Sequence, residues 1–317
     1  MTICRYSATA ASFLLLAALW LFSPRERSVF VRIPQGLSAR ELSKKLSQEN
    51  VLLRKGMFLP AVKILKMDRK LKYGTYLFYE NSPLFNVIAE LRKGTGILFK
   101  VTIPEGFRID QIAARLEAEG ITSADEFAEY AYRNKLEGYL FPETYYFPPG
   151  DSPKRICGVF RAQFNKIVSE LNLSGKALPA GLTPRRAVIL GSIIEKEAGS
   201  DEEKFLISGI FHNRMRKKMR LESCSTVRYA LKKWKKPLSI NDTLFESPFN
   251  TYRHRGLPPA PICNPGKKAL EAAVNPDETD LLFFVVDADG KHNFSKYFEQ
   301  HKNKKFIKNR KKREKQK

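Results

Sequence analysis

AVILGSIIEKEAG, Ala187 to Gly199, is the stretch around which the chain is organised. Thr183-Pro184 upstream gives an N-cap residue and a proline at the first helical position, and Gly199 supplies a stop. At about 100° per residue, Ala187, Leu190, Ile193 and Ile194 share one side of the predicted helix. Ser192, Glu195 and Lys196 fall on the opposite side. Glu197 projects between Ile193 and Leu190, inside the apolar stripe. Positions two apart lie roughly 200° around the axis, so Glu195 and Glu197 cannot serve one site from one helix. A carboxyl on an apolar face is costly to ionise and holds its proton, as a general acid near neutral pH must. The same position also suits a residue that closes the helix end or pairs with an arginine, and periodicity alone does not choose.

The 317 residues are enough for two domains, and a hydrophobic content of 43% supports real cores. Lysine and arginine number 56 against 33 acidic residues, a formal charge of +23 that favours an anionic neighbour: nucleic acid, a phospholipid surface or an anionic wall polymer. Part of this charge sits in the tail, KNKKFIKNRKKREKQK from Lys302 to Lys317, which has too little apolar surface to fold. The four cysteines (Cys4, Cys157, Cys224, Cys263) form no CxxC pair, so no metal is expected. HExxH, GxSxG, P-loop and GxGxxG motifs are absent, and no cofactor is expected. A nucleic-acid-reading module is not recognisable either, so charge is the sole argument for such a partner.

Between Arg5 and Arg25 lie nineteen uncharged residues, YSATAASFLLLAALWLFSP, enough for about 28 Å of helix. The run ends Leu19-Trp20-Leu21-Phe22, which suits an interfacial aromatic anchor rather than a cleavage site. Residues 6–24 are therefore expected to be a retained single-pass anchor. Flanking charge leaves its orientation open.

Beyond it, Val31-Arg32-Ile33-Pro34-Gln35-Gly36 recurs as Val101-Thr102-Ile103-Pro104-Glu105-Gly106. Each copy precedes an amphipathic pattern, with Leu42 and Leu46 in the first and Ile112 and Leu116 in the second. Each reads as strand, Pro/Gly turn and helix, with Phe58 and Phe127 as later apolar anchors. The run 73–78 alternates like a strand and 84–91 reads as a helix. LEGYLFPETYYFPPG, Leu136 to Gly150, has no periodicity; Tyr139, Phe141, Tyr145 and Tyr146 either stack on sugars or pack the loop down. Helices are expected near 153–171, from the capping signal Ser200-Asp201-Glu202-Glu203 to about Lys218, and over 267–274. A buried strand at 281–286 and a hairpin partner at 291–295 close the pattern.

Four segments in order, SIIEKEAG (Ser192–Gly199), FHNRMRKKMRLESCSTVRYAL (Phe211–Leu231), SPFNTYRHRGLPPAPICNPG (Ser247–Gly266) and DGKHNFS (Asp289–Ser295), resemble the MltG (YceG-like) family of membrane-anchored endolytic murein transglycosylases. The resemblance implies an α+β chain: a transmembrane helix (1–28 with its flanks), a LysM-like module (29–98), a second strand-turn-helix unit and connector (99–150), a catalytic domain with its glutamate on a helix (151–301) and a basic tail (302–317). It implies an extracytoplasmic catalytic domain on a bacterial plasma membrane, peptidoglycan glycan strands as substrate, and cell-elongation and wall-synthesis proteins as partners. The family's catalytic glutamate falls on Glu197. Its chemistry is non-hydrolytic cleavage of the MurNAc-β-1,4-GlcNAc bond, which leaves a 1,6-anhydro-MurNAc end and needs no second carboxylate.

Motif matching places Ser223, Thr226, Tyr229, Asn250 and Tyr252 along the glycan groove, with turn and capping roles as the alternative. Glu222 is a possible helper, and His292, Arg214 and Arg220 are possible substrate contacts. Cys224-Ser225 stands where many relatives have Asp-Pro, and Ala260 where glycine is frequent. With Cys224 and Cys263 both in motif loops, an oxidising compartment suggests a disulfide between them. The alternative to a lyase is an inactive peptidoglycan-binding scaffold.

Overall fold

The structure, a computed structural model, describes residues 28–299 except 35, 53, 55, 68–69, 95, 174–177, 235 and 287–291. The expected anchor at 6–24, the basic tail and the turn of the last hairpin lie outside the described residues. Among the described residues no helix is long and apolar enough to cross a membrane. The fold is α+β and divides into two compact units.

The first unit runs to Lys100, with Glu119–Ile121 and Tyr146–Asp151. Its order is β1 (Ser28–Ile33), α1 (Ala39–Gln48), α2 (Phe58–Ile64), β2 (Gly74–Tyr79) and α3 (Leu84–Lys93). Strands β1 and β2 are antiparallel, with Val31 opposite Tyr76 and Val29 opposite Phe78. This register turns Val31, Ile33, Tyr76 and Phe78 inward onto Leu42, Leu46, Phe58 and Val62, and a one-residue slip would reverse every one of them. Ser38 caps α1 through a capping box with Glu41, as the amphipathic run predicts.

The second unit holds 101–118, 122–145 and the chain from Ser152. Most of 99–150, read from the sequence as a second strand-turn-helix unit and connector, groups with the residues from Ser152 onward. Its helices are α4 (Ile109–Ala118), α5 (Ala124–Arg133), α6 (Pro153–Glu170), α7 (Pro184–Glu197), α8 (Asp201–Arg216), α9 (Cys224–Leu231) and α10 (Lys267–Val274). Short strands β3 (Phe99–Thr102) and β4 (Thr144–Phe147) pair, as do β5 (Phe283–Val286) and β6 (His292–Ser295). Three of the four aromatics pack down: Phe141 is buried, and Tyr145 meets Phe160 at 4.5 Å and Tyr139 meets Phe164 at 5.2 Å, both edge to face, while Tyr146 is exposed.

Helix α7 starts as read, with Thr183 Oγ1 accepting from Arg186 N and Pro184 at the first position. It is not amphipathic in place. Every residue from Ala187 to Ile194 is buried, because α8, α10 and the loop before α10 cover it on several sides. Ser192, expected on an open face, is fully buried; its Oγ donates to Ile189 O at 2.7 Å and accepts from Ile262 N at 3.1 Å. The small residues of α10 (Ala269, Ala272, Ala273) allow the close approach, and Leu190, Ile193, Ile207 and Phe211 complete the core.

Candidate functional site

Glu197 is the last residue of α7 and is half-buried. Its neighbours are polar, which corrects the expectation of greasy surroundings. Ser223 Oγ donates to Glu197 Oε1 at 2.5 Å, and the Ser225 backbone N–H donates to the same oxygen at 3.1 Å. No hydrogen bond or ion pair from the described residues reaches Oε2. One carboxyl oxygen is fixed by two donors and the other makes no bond to the described residues.

The loop from Leu221 to Ser225 that supplies these donors is itself held. Ser223 N donates to Thr251 Oγ1 at 3.0 Å, and Glu222 N donates to Thr251 O. Thr226 Oγ1 donates to Ser223 O at 2.7 Å and lies 2.9 Å from Thr251 Oγ1. Glu222 sits at φ 52°, a left-handed conformation that non-glycine residues seldom adopt and that tends to mark functional loops. Its carboxylate faces Arg214 at 3.4 Å and does not touch Glu197. Arg214 is buried and donates to the carbonyls of Leu282 and Leu221, so it ties β5 to this loop rather than waiting for a substrate carboxylate.

The other expected site residues divide. Ser223 touches Glu197 directly. The Tyr252 hydroxyl lies 3.2 Å from Cys224 Sγ, and its pKa is pushed up by burial first, then by Cys224 and the charges of Glu197 and Glu222. Tyr229 lies one turn beyond Ser225 on α9, against Phe249 at 5.0 Å. Thr226 and Asn250 lie inside the fold, both 0% exposed, and do not face a groove. Asn250 Nδ2 donates to the carbonyls of Thr243 and Phe245 while its Oδ1 accepts from Tyr252 N, an Asx turn that aims Tyr252. His292 is likewise structural: its Nδ1 lies 2.8 Å from Glu203 Oε2, which also accepts from Gly199 N. Cys224 and Cys263 form no disulfide. Cys224 is exposed beside Tyr252, whereas Cys263 is fully buried with its thiol donating to Ser192 O, because α7 lies against the 262–264 loop.

The two residues before Glu197 explain why it is held still. Glu195, expected on an open face, has a side chain only 8% exposed. Its Oε2 accepts from Gly266 N at 3.1 Å and pairs with Lys204 at 3.4 Å; burial raises its pKa more than Lys204 lowers it. Lys204 is itself buried among Glu195, Glu105 and Asp201. Lys196 Nζ donates to Gly106 O at 3.1 Å.

Behind them stands Asn264, fully buried. Its Oδ1 accepts from Gly138 N and Leu140 N, and its Nδ2 donates to Phe107 O and Glu137 Oε1. The second Pro/Gly turn, the aromatic stretch and the Asn-Pro-Gly turn are thus one network. Sequence reading missed Ser225, Lys204 and Asn264 as members of it. Only Asn264, ahead of Pro-Gly, carried a local signal, and that signal read as a helix start. A separate cavity of about 600 Å³ lined by Arg216, Lys217 and Lys296 contains none of these groups.

The sequence profile of the YceG-like family matches residues 31–306. A Bacillus subtilis (strain 168) protein named endolytic murein transglycosylase is 31% identical over 301 residues, 86% of this chain and 83% of its own length. A Streptococcus pneumoniae (serotype 2, strain D39) protein of the same name is 28% identical over 320 residues, 87% of this chain but 57% of its own length. The crystal structure of a YceG-like protein from Listeria monocytogenes matches with a TM-score of 0.53 at 29% identity, covering 88% of this chain and 99% of that one.

Proposed function

The chain belongs to the YceG-like family, and from that premise we propose that it is an endolytic murein transglycosylase acting on peptidoglycan glycan strands. The reaction is non-hydrolytic cleavage of the MurNAc-β-1,4-GlcNAc bond to leave a 1,6-anhydro-MurNAc end, which limits the length of nascent strands. The observation that carries this reading is the asymmetry at Glu197, with Oε1 fixed by Ser223 and Ser225 and Oε2 open. Glu197 gives the Oε2 proton to the glycosidic oxygen as the C1–O bond breaks. The C6 hydroxyl attacks C1, and its proton passes to the same carboxylate, so no water is consumed and the acid is regenerated. Among the described residues, the neighbouring carboxylates are engaged elsewhere: Glu195 with Lys204, Glu203 with His292, Glu222 with Arg214.

The β-α-α-β run from β1 to β2, which α3 follows in the first unit, supports a LysM-like module. The apolar run 6–24 supports a plasma-membrane anchor with the catalytic unit outside the cell, and the basic tail suits anionic wall polymer or lipid headgroups. Wall-synthesis proteins are the natural partners of such an enzyme.

Incubation of the full-length protein with sacculi, followed by mass spectrometry of the released fragments, tests the reading. Anhydro ends are expected from the native chain, and none from Glu197→Gln, which should still bind strands. Free reducing ends would overturn the non-hydrolytic mechanism, and binding without any product would leave a scaffold.

A further inference from the structure

Trp234 is an exposed indole on a rigid mount. It is 39% exposed, yet the Arg108 guanidinium lies 3.5 Å above its ring. Arg108 is in turn locked in a two-point pair with Asp110, at 2.8 and 2.7 Å, and is itself buried. The loop carrying the indole is held as well. Arg228 Nη1 donates to the carbonyls of Lys233 and Lys236, and Lys233 pairs with Asp242 at 2.6 Å. Neither the ring nor its backbone is free to fold inward, so the exposure belongs to the design of the loop. The indole and the Tyr229 ring meet edge to face with centroids 6.1 Å apart.

The position of this shelf follows from helix geometry. Ser225, whose N–H holds Glu197, and Tyr229 are four apart on α9 and share a face, separated by roughly 6 Å of rise. Past the end of α9, the Trp234 ring packs against that of Tyr229 with centroids 6.1 Å apart, which connects the indole through α9 to the Ser225 N–H that holds Glu197. A pyranose presents a face of C–H bonds, and an aromatic face, negative at its centre, attracts it.

We propose that Trp234, backed by Arg108 and set against Tyr229, is a stacking subsite for a sugar of the glycan strand outside the pair flanking the cut. The proposal rests on the glycan reading of the Glu197 site and gives an endolytic enzyme its grip on strand interior rather than strand end. Short fragments that fill only the Glu197 site do not reach it.

Binding in the full-length Glu197→Gln protein tests the shelf without turnover, so it stands apart from the test for anhydro product. The probes are peptide-free glycan strands and a MurNAc-β-1,4-GlcNAc disaccharide, titrated by calorimetry. Adding Trp234→Ala is expected to weaken strand binding about tenfold and leave disaccharide binding unchanged, while Trp234→Phe retains most strand affinity. Equal losses on both probes, or no loss on strands, overturn the proposal. Because an alanine variant can fail to fold, a second measurement keeps the native ring. With Trp20→Phe, Trp234 is the sole tryptophan of the chain, and its emission is expected to shift on adding strands and not the disaccharide. An unmoved spectrum at saturating strand overturns the subsite.

Discussion

Replacing Glu137 by glutamine should remove most of the loss of stability that the second unit suffers between acid and mildly basic pH. The Glu137 carboxyl is 7% exposed, accepting from Ile109 N at 3.4 Å and from Asn264 Nδ2 at 3.0 Å. Burial raises its pKa from an ordinary 4.5 to about 8, with Asp110 adding to the rise and the two hydrogen bonds and Arg108 opposing it. A carboxyl whose folded pKa lies above its unfolded one binds a proton more tightly in the native state. Its contribution is therefore complete below pH 4.5, is lost as pH rises toward about 8, and is constant above that. At about 1.4 kcal/mol per pH unit, the interval amounts to about 5 kcal/mol, of which roughly 3.5 kcal/mol falls between pH 5 and pH 8. Glutamine mimics the protonated acid in shape and cannot ionise. Urea unfolding at pH 5, 6.5 and 8 should find the two chains close in stability at the lowest pH and Glu137→Gln more stable by about 3 kcal/mol at the highest. Parallel stability curves for the two proteins across that range would refute the reasoning.

Ser223→Ala removes a donor to Glu197 Oε1 and should lower kcat roughly 10- to 100-fold with little change in melting temperature; an unchanged kcat in the sacculus assay would refute it. Asn250→Ala strands two carbonyls and the Tyr252 N–H inside the fold, and chemical denaturation should show a loss of about 3 kcal/mol. Gly266→Ala would place a Cβ about 1.9 Å from Glu105 Oε1, and the displaced Glu105-Lys204-Glu195 cluster should cost about 1–3 kcal/mol in the same measurement. In a Cys4→Ser chain, a thiol reagent without reductant should label Cys224 in the native protein and reach Cys157 and Cys263 only on unfolding, since burial shields both and raises their pKa. Native resistance of Cys224 to labelling would contradict its exposed position.

Local chemistry made much of the fold readable. Thr183-Pro184, the amphipathic Leu42 and Leu46, and the alternation over 73–78 each specify their element through capping or period, and α7, α1 and β2 stand where those signals put them. What the sequence hid was tertiary cover. A wheel drawn on Ala187–Glu197 assumes one wet side, but α7 has core or loop packed against it from several directions, so Ser192 and Glu195 are buried with their polar atoms satisfied. The candidate site was legible to one residue from the wheel and to a few more from the motifs. Ser225 acts through a backbone N–H that no side-chain pattern encodes, and Lys204 reads as an ordinary helix-surface lysine until three carboxylates surround it.

A mechanism run by a single carboxyl places a demand on its mounting that a two-carboxyl glycosidase escapes. The oxygen that releases a proton to the leaving group must recover one from the C6 hydroxyl, so it has to serve two points of the same sugar without turning away between them. The Glu-Lys-Glu triplet meets that demand in its own order. Glu195 fastens the helix end to Gly266 N and Lys204, Lys196 fastens it to Gly106 O, and Glu197 is the last residue of the helix so fastened. The two donors on Oε1 then hold the plane of the carboxyl. Pre-organisation of this kind saves the reorganisation that a mobile acid would undergo twice per cycle. On the proposed mechanism the three charges have distinct work: the first two fix geometry and the third is the acid. Exchanging Glu195 for glutamine should therefore lower kcat while leaving strand affinity in place, and equal falls in both would mean that the clamp shapes the groove rather than the acid.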